Sequence, residues 1–253
     1  MTAGSLLSIL QRLQCSIGLN PGGNSTSITL NVQKGSYRIY NPSTNAYDMV
    51  SMRSYNGCPT GPTISIKPSA TLRLTLNNKL KTNDPPDTCP SSPDHSVPHC
   101  FNHTNIHTHG LHISPSDPAD NVLREVLPGD RWAYTYKIPP THPSGTFWYH
   151  AHLHGSTAID VASGMAGVLI VRGARQAKRG EVDGEADIDT ILHRKLLALP
   201  LHEHVMLFQQ IEYGCFSDAT STVPLADPAT FEWTFPSSST GEIRGYTSQL
   251  AFV

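Results

Sequence analysis

The sequence predicts an all-β protein, and three observations carry that prediction. Glycine (19) and proline (20) are abundant among the 253 residues, while charged residues make up only 15%. That balance suits many short strands joined by turns better than helices stabilised by ion pairs. The runs Thr63-Ile64-Ser65-Ile66-Lys67 and Thr71-Leu72-Arg73-Leu74-Thr75-Leu76 keep strict period two across a Pro68-Ser69 turn. Between Arg131 and Ile138, Trp132, Tyr134 and Tyr136 share one face of an extended segment that opens after the turn Pro128-Gly129-Asp130.

Read in order, residues 1–26 form a lead-in. Leu6, Leu7, Ile9, Leu10 and Leu13 have the spacing of a short amphipathic helix, and with no basic residue ahead of them and no sustained apolar run they read neither as a signal peptide nor as a membrane span. From Ser27, Ile28, Leu30 and Val32 line one face; Tyr37 to Tyr40, an Asn41-Pro42-Ser43 turn and a return from Tyr47 to Met52 predict a hairpin. A polar, proline-rich surface loop covers Asn77 to Asn102 and delivers a strand from Asn105 to Ile113. A further strand runs from Thr146 to His152, and Gly155 and Ser156 end it. Ser156 is expected to cap a short helix through Ser163, which Gly164 ends in the left-handed region before Met165 to Val171 resumes as strand. Residues 27–173 thus read as one domain. In 174–200, basic residues (Arg175, Lys178, Arg179) give way to acidic ones (Glu181, Asp183, Glu185, Asp187, Asp189), the composition of a solvated linker. Leu196 to Leu201 and Glu203 to Ile211 read as the opening strand of a second domain, 201–253, which is too short to complete a sandwich.

With 18 basic and 20 acidic side chains the net charge is −2, which offers no field to recruit nucleic acid or an anionic membrane. Of the five cysteines, Cys89 and Cys100 bracket Pro90 to His99 and can close that loop as a disulfide in an oxidising compartment. Cys15, Cys58 and Cys215 are scattered and lack C-x-x-C spacing, which argues against a structural zinc site.

Two pairs, His107-Thr108-His109 and His150-Ala151-His152, carry the chemistry. A strand puts residues i and i+2 on one face with Cα atoms roughly 6.6 Å apart, so each pair aims two imidazoles the same way, a spacing better suited to two neighbouring metals than to one. Neutral imidazole suits copper, zinc, iron and nickel. Strand parity sends His112 to the opposite face, away from ligation; His154 has the right parity but meets the turn at Gly155, so it is expected to support or wall the site. His95, His99 and His103, in or beside the long loop, and His142, in a turn, are expected to be exposed. The aromatic run Phe147-Trp148-Tyr149 is expected to be core packing. A zinc hydrolase would need H-x-H-x-D-H; Leu111 stands where the aspartate belongs, and the second pair is left unexplained.

At these residues a resemblance becomes specific. Gly61-Pro62-Thr63-Ile64-Ser65-Ile66, Asn105-Ile106-His107-Thr108-His109-Gly110-Leu111-His112, Pro128-Gly129-Asp130, Gly145-Thr146-Phe147-Trp148-Tyr149-His150-Ala151-His152 and Gly164-Met165-Ala166-Gly167 resemble, in order and spacing, the N-terminal domain of multicopper oxidases, laccase-like or bilirubin-oxidase-like. The match runs from Ser27 to Arg172, and Glu203 to Phe216 resembles the start of the family's second domain. The resemblance implies a Greek-key cupredoxin (plastocyanin-like) β-sandwich followed by an incomplete second one. It implies His107 as a ligand of a type 2 copper and His109, His150 and His152 as ligands of a type 3 pair, and it aligns Asp120 with an acidic residue that delivers protons; Asp120 reads equally well as a turn former after Pro118. The implied reaction couples one-electron oxidation of a reducing substrate to reduction of O2 to water, at a cluster whose remaining histidines come from a complementary cupredoxin domain. No His-Cys-His and no H-x-x-H-x-H occurs in the 253 residues, so the electron-accepting type 1 copper and half of the cluster ligands that the resemblance calls for are not among them. By itself this chain is therefore expected to be inactive. A copper-binding cupredoxin module without catalysis, acting as carrier, sequestering protein or partner subunit, is the alternative. Family resemblance favours a periplasmic or extracellular location.

Overall fold

The computed structural model describes residues 25–41, 45–82, 89, 99–173, 175–176, 186–192, 204–209, 213–216 and 242–245. The lead-in through residue 24, His95, most of the linker and Leu196 to Leu201 lie outside the described residues. Strands β1 (Ser25–Asn41), β2 (Ala46–Tyr55), β4 (Thr71–Asn78) and β6 (Arg131–Lys137) form one sheet in the order β2-β1-β4-β6; β3 (Ile64–Ile66), β5 (His107–His109), β7 (Gly145–His150) and β8 (Ala166–Val171) form a second in the order β3-β8-β7-β5. Both sheets are mixed. β1 runs parallel to β4 and antiparallel to β2, and β3 runs parallel to β8. This is an all-β, two-sheet sandwich, as expected, with two short helices among the described residues, α1 (Thr157–Ala162) and α2 (Ile188–Leu192).

Period two builds the core. Ile28, Leu30 and Val32 on β1, Leu72, Leu74 and Leu76 on β4 and Tyr134 and Tyr136 on β6 are buried against Ile64, Ile66, Tyr149, Leu169 and Val171 of the facing sheet. Truncating one such leucine to alanine costs about 2–5 kcal/mol, the lost transfer energy plus the cavity left behind. The predicted hairpin forms, with Asn41 opposite Ala46 and Val32 opposite Tyr55.

Tyr149 shows why glycines surround β7. Its ring is fully buried, and its hydroxyl donates to the Pro62 carbonyl at 2.7 Å. A Cβ on Gly167, its partner across β7 and β8, would lie 2.2 Å from Tyr149 Cζ, and one on Gly61 would lie 2.3 Å from Oη. The glycines of the Gly61-Pro62 and Ala166-Gly167 segments leave the space this ring fills.

Several expectations are corrected. The first histidine strand is only His107–His109, because Gly110 turns out of it at φ +93°. The second ends at His150, so His152 lies beyond regular pairing. Ser156 sits at the N-cap of α1 without capping it; its hydroxyl donates to the His103 carbonyl at 3.0 Å. Gly164 does end the helical segment, at φ +111°. Residues 204–209 form no strand and are largely exposed, Phe208 at 87%. A two-stranded ladder pairs β9 (Tyr213–Phe216) with β10 (Glu242–Gly245) instead. His99 and His142 are buried, not exposed. His142 is satisfied at both nitrogens, Nδ1–H reaching the Pro143 carbonyl at 2.8 Å and Nε2 accepting the His112 amide at 3.0 Å, so its burial leaves no polar atom unpaired.

Behind β5 lies a buried polar layer. Asn78 Nδ2 donates to the carbonyls of Asn102 and Val126 at 2.8 and 3.0 Å, and Arg53 donates to Asn102 Oδ1 at 2.9 Å. Asp160, fully buried, accepts from Thr104 at 3.1 Å and stands 3.8 Å from Arg53 Nε. Burial pushes its carboxyl up to about 7, with Arg53 opposing.

Two outcomes are expected. Gly167→Ala should destabilise the chain by about 1–3 kcal/mol in denaturant unfolding as Tyr149 is displaced; a change under about 0.5 kcal/mol would contradict that packing. Because the folded carboxyl of Asp160 titrates above its unfolded value, the stability it contributes is full below about pH 4 and is lost as the pH rises through about 7. Unfolding curves from pH 4 to 8 should therefore show the wild-type chain losing stability relative to Asp160→Asn; parallel pH profiles would refute this.

Candidate metal centre

The short β5 strand reaches β7 antiparallel, with His107 directly opposite His150 and His109 opposite Trp148. Thr108 and Tyr149 turn into the core at 1% and 0% exposure, so the histidines share the other face, as two-residue periodicity requires. The His107 ring centre lies 5.5 Å from His109, 5.4 Å from His150 and 5.1 Å from His152. His107, His109 and His150 each place a nitrogen within 4.8 Å of the others. All four imidazoles predicted from sequence are thus brought together.

Their nitrogens are arranged for a cation. His150 Nδ1 lies 2.7 Å from the Ala151 carbonyl. A carbonyl only accepts, so Nδ1 carries the proton and the Nε2 lone pair is left; that atom is buried with no hydrogen-bond partner among the described residues, as is Nδ1 of His152. Burial pushes the pKa of both His150 and His152 below the ordinary imidazole value, which favours the neutral form that binds metals. Buried nitrogens left unpaired beside three other imidazoles fit an imidazole-bound metal and would otherwise be costly.

Asp120 and Asn105 hold this geometry. Asp120 Oδ1 accepts the Thr108 amide at 2.9 Å. Its Oδ2 stands 2.8 Å from His107 Nδ1, out of line for a hydrogen bond, so that contact is electrostatic. Asn105, fully buried, is the residue sequence reasoning missed. Its Oδ1 accepts the His152 amide at 2.7 Å, where β7 pairing has ended, and its Nδ2 donates to the Val122 carbonyl at 2.6 Å, beyond Asp120. No sequence period marks such a residue; a polar side chain two positions ahead of His107, on its face, was the available signal.

Trp148, expected in the core, faces the histidines. It stacks on His150 at 4.2 Å and on His109 at 5.1 Å, and its parity with His150 foretold this. Phe147 and Tyr149 do pack on the core. His154 is exposed, its ring 6.0 Å from His152, at the wall of the site. His112 is exposed and off the strand, its ring 4.9 Å from His142.

Residues 98–176 match the family model described as multicopper oxidase. Laccase-1 of Thanatephorus cucumeris is 31% identical over 137 residues, covering 53% of this chain and 20% of that protein. Multicopper oxidase mco of Staphylococcus haemolyticus is 26% identical over 168 residues, covering 66% of this chain and 31% of that protein. The chain therefore spans a fifth to a third of the length of these curated relatives. Among solved structures, a multicopper oxidase from Campylobacter jejuni, named a metallo-oxidase, aligns at 22% identity and TM-score 0.47 over 63% of this chain and 28% of its own. A laccase from Pediococcus acidilactici aligns at 25% identity and TM-score 0.45 over 61% and 28%. The match of residues 98–176 to the multicopper oxidase family model spans the segment that carries both histidine pairs.

Proposed function

We propose that this chain supplies the first-domain half of the oxygen-reducing copper centre of a laccase-like oxidase. The observation that carries the reading is the β5–β7 face, where four imidazoles converge and a buried, unpaired Nε2 of His150 points at no protein partner among the described residues. His107, the histidine beside Asp120, is assigned to the type 2 copper, and His109, His150 and His152 to the type 3 pair. When bound, the coppers supply electrons to O2 in the four-electron reduction to water, coupled to one-electron oxidation of a reducing substrate.

The chain's own residues hold and orient. Trp148 fixes the planes of His109 and His150 by stacking, and Asn105 holds the His152 backbone in place after the strand has ended. Asp120, anchored by the Thr108 amide, keeps Oδ2 beside His107, where it can hold a proton next to the site. A complementary cupredoxin domain, in the same protein or a partner chain, completes the ligand set. In this reading domain one spans 27–173, a charged linker 174–200 follows, and 201–253 opens a second domain. The Cys89–Cys100 disulfide supports a periplasmic or extracellular site.

A second reading is a copper-binding module that does not turn over, which the same four converging imidazoles would also serve. Oxygen uptake separates the two: the copper-loaded chain should consume O2 only when a domain bearing the complementary histidines and a type 1 copper is joined to it, and sustained uptake by this chain alone would refute the half-site assignment. His107→Ala should lower the copper bound per chain in a calorimetric titration and weaken the remainder at least about tenfold, the scale of losing a ligand or its support. Unchanged stoichiometry would refute the role of His107.

A further inference from the structure

Away from the β5–β7 face, the segment leading into β5 gathers another set of metal-type donors. Cys89, Cys100 and His103 each place a ligand atom within 4.8 Å of the others. The two cysteines are joined as a disulfide, as the loop they bracket allowed, with Cα atoms 4.3 Å apart. Cys100 and His103 stand three apart in a turn closed by the His103 amide on the Cys100 carbonyl at 2.9 Å, which brings their side chains together. Glu125 Oε1 lies 2.5 Å from His103 Nδ1. An ionised carboxylate only accepts, so Nδ1 carries the proton and the Nε2 lone pair is left toward Cys89 Sγ, 3.3 Å away. A carboxylate on one imidazole nitrogen and a soft donor beside the other is the arrangement that orients metal-binding histidines.

We propose that reduction of the Cys89–Cys100 disulfide converts this knot into a site for a thiophilic cation such as Zn2+, with Cys89, Cys100 and His103 as ligands and Glu125 orienting His103. The reductant is a dithiol or a phosphine. Two electrons from it cleave the S–S bond and two protons give the thiols; a dithiol supplies both protons and becomes its own disulfide, whereas a phosphine takes the oxygen of a water, whose two protons go to the thiols, and becomes the phosphine oxide. Binding of the cation then displaces both thiol protons to solvent. Zinc bonds sulfur at about 2.3 Å and imidazole at about 2.0 Å, so neighbouring ligands of a tetrahedral ion stand roughly 3.5 Å apart, close to the separation already present between Cys89 and His103. The side chains of His103 and Glu125 are 19% and 46% exposed, so water can take the fourth position. The oxidised chain lacks the thiolates that this binding requires. The site is independent of the oxidase reading, since none of its residues belongs to the histidine face.

The test uses the full chain and Zn2+ alone. The oxidised and phosphine-reduced proteins are pulse-alkylated with and without Zn2+, and each cysteine is followed by peptide mass spectrometry, which keeps the signal separate from zinc on the histidine face. In the reduced chain, with its fold verified by circular dichroism, Zn2+ should slow alkylation of Cys89 and Cys100 by about tenfold or more, since the bound thiolate is withdrawn from reaction. Cys58, itself disulfide-bonded in the folded chain, should react after reduction at a rate indifferent to zinc. His103→Ala should abolish the protection; His103→Gln, which keeps a polar side chain, serves if the alanine variant does not fold. Glu125→Gln should weaken the protection without removing it. Absent protection, protection that survives loss of His103, or unfolding on reduction would each overturn the proposal.

Discussion

The candidate site depends on the antiparallel register of two short segments. β5 has only three residues, yet its pairing with β7 sets His107 against His150 and sends Thr108 and Tyr149 into the core. A slip of one residue would turn the imidazoles inward and the apolar side chains outward. So short a strand cannot hold its register alone. Asn105 extends the linkage past the last ladder pair by accepting the His152 amide, and the same side chain reaches the loop that carries Asp120. One buried amide therefore ties together both histidine pairs and the carboxylate beside them, and its loss would leave buried partners unsatisfied at a cost of about 1–3 kcal/mol.

The polar layer behind β5 has the same logic. Asn78 bonds to the backbone carbonyls of Asn102 and Val126, Asn102 to that of Lys81, and Arg53 reaches Asn102 from β2. Buried polar groups are tolerated when they are paired, and here the pairing fixes a long connection against the sandwich so that β5 enters at a defined height. Asp160 is paired with the Thr104 hydroxyl, but its approach to Arg53 is a long 3.8 Å, and desolvation outweighs the attraction, which raises its carboxyl above the ordinary range. The layer is specific in geometry without being uniformly stabilising.

Sequence pattern made the apolar half of this protein legible. Alternation in Thr71 to Leu76 and Ile28 to Val32 places the core side chains, and the H-x-H spacing places four imidazoles on one face. Illegible were features set by partners distant in sequence. Asn105 is ordinary until His152 lies across from it, and His142 is exposed by composition but buried by two hydrogen bonds that only the folded turn supplies. Trp148 was open to the period-two rule, but its large apolar ring outweighed its parity with His150. Strand length was the other loss: Gly110 carries a positive φ that ends β5, whereas the expected strand ran on through it to Ile113.

X-ray absorption on the oxidised, copper-loaded chain tests the central claim most directly. A first shell of nitrogen and oxygen scatterers with the multiple-scattering signature of imidazole, lost when His107, His109, His150 and His152 are replaced together by alanine, is the predicted result. A sulfur scatterer in the first shell, or an imidazole signature that survives those four substitutions, would contradict the assignment of the β5–β7 face as the metal centre.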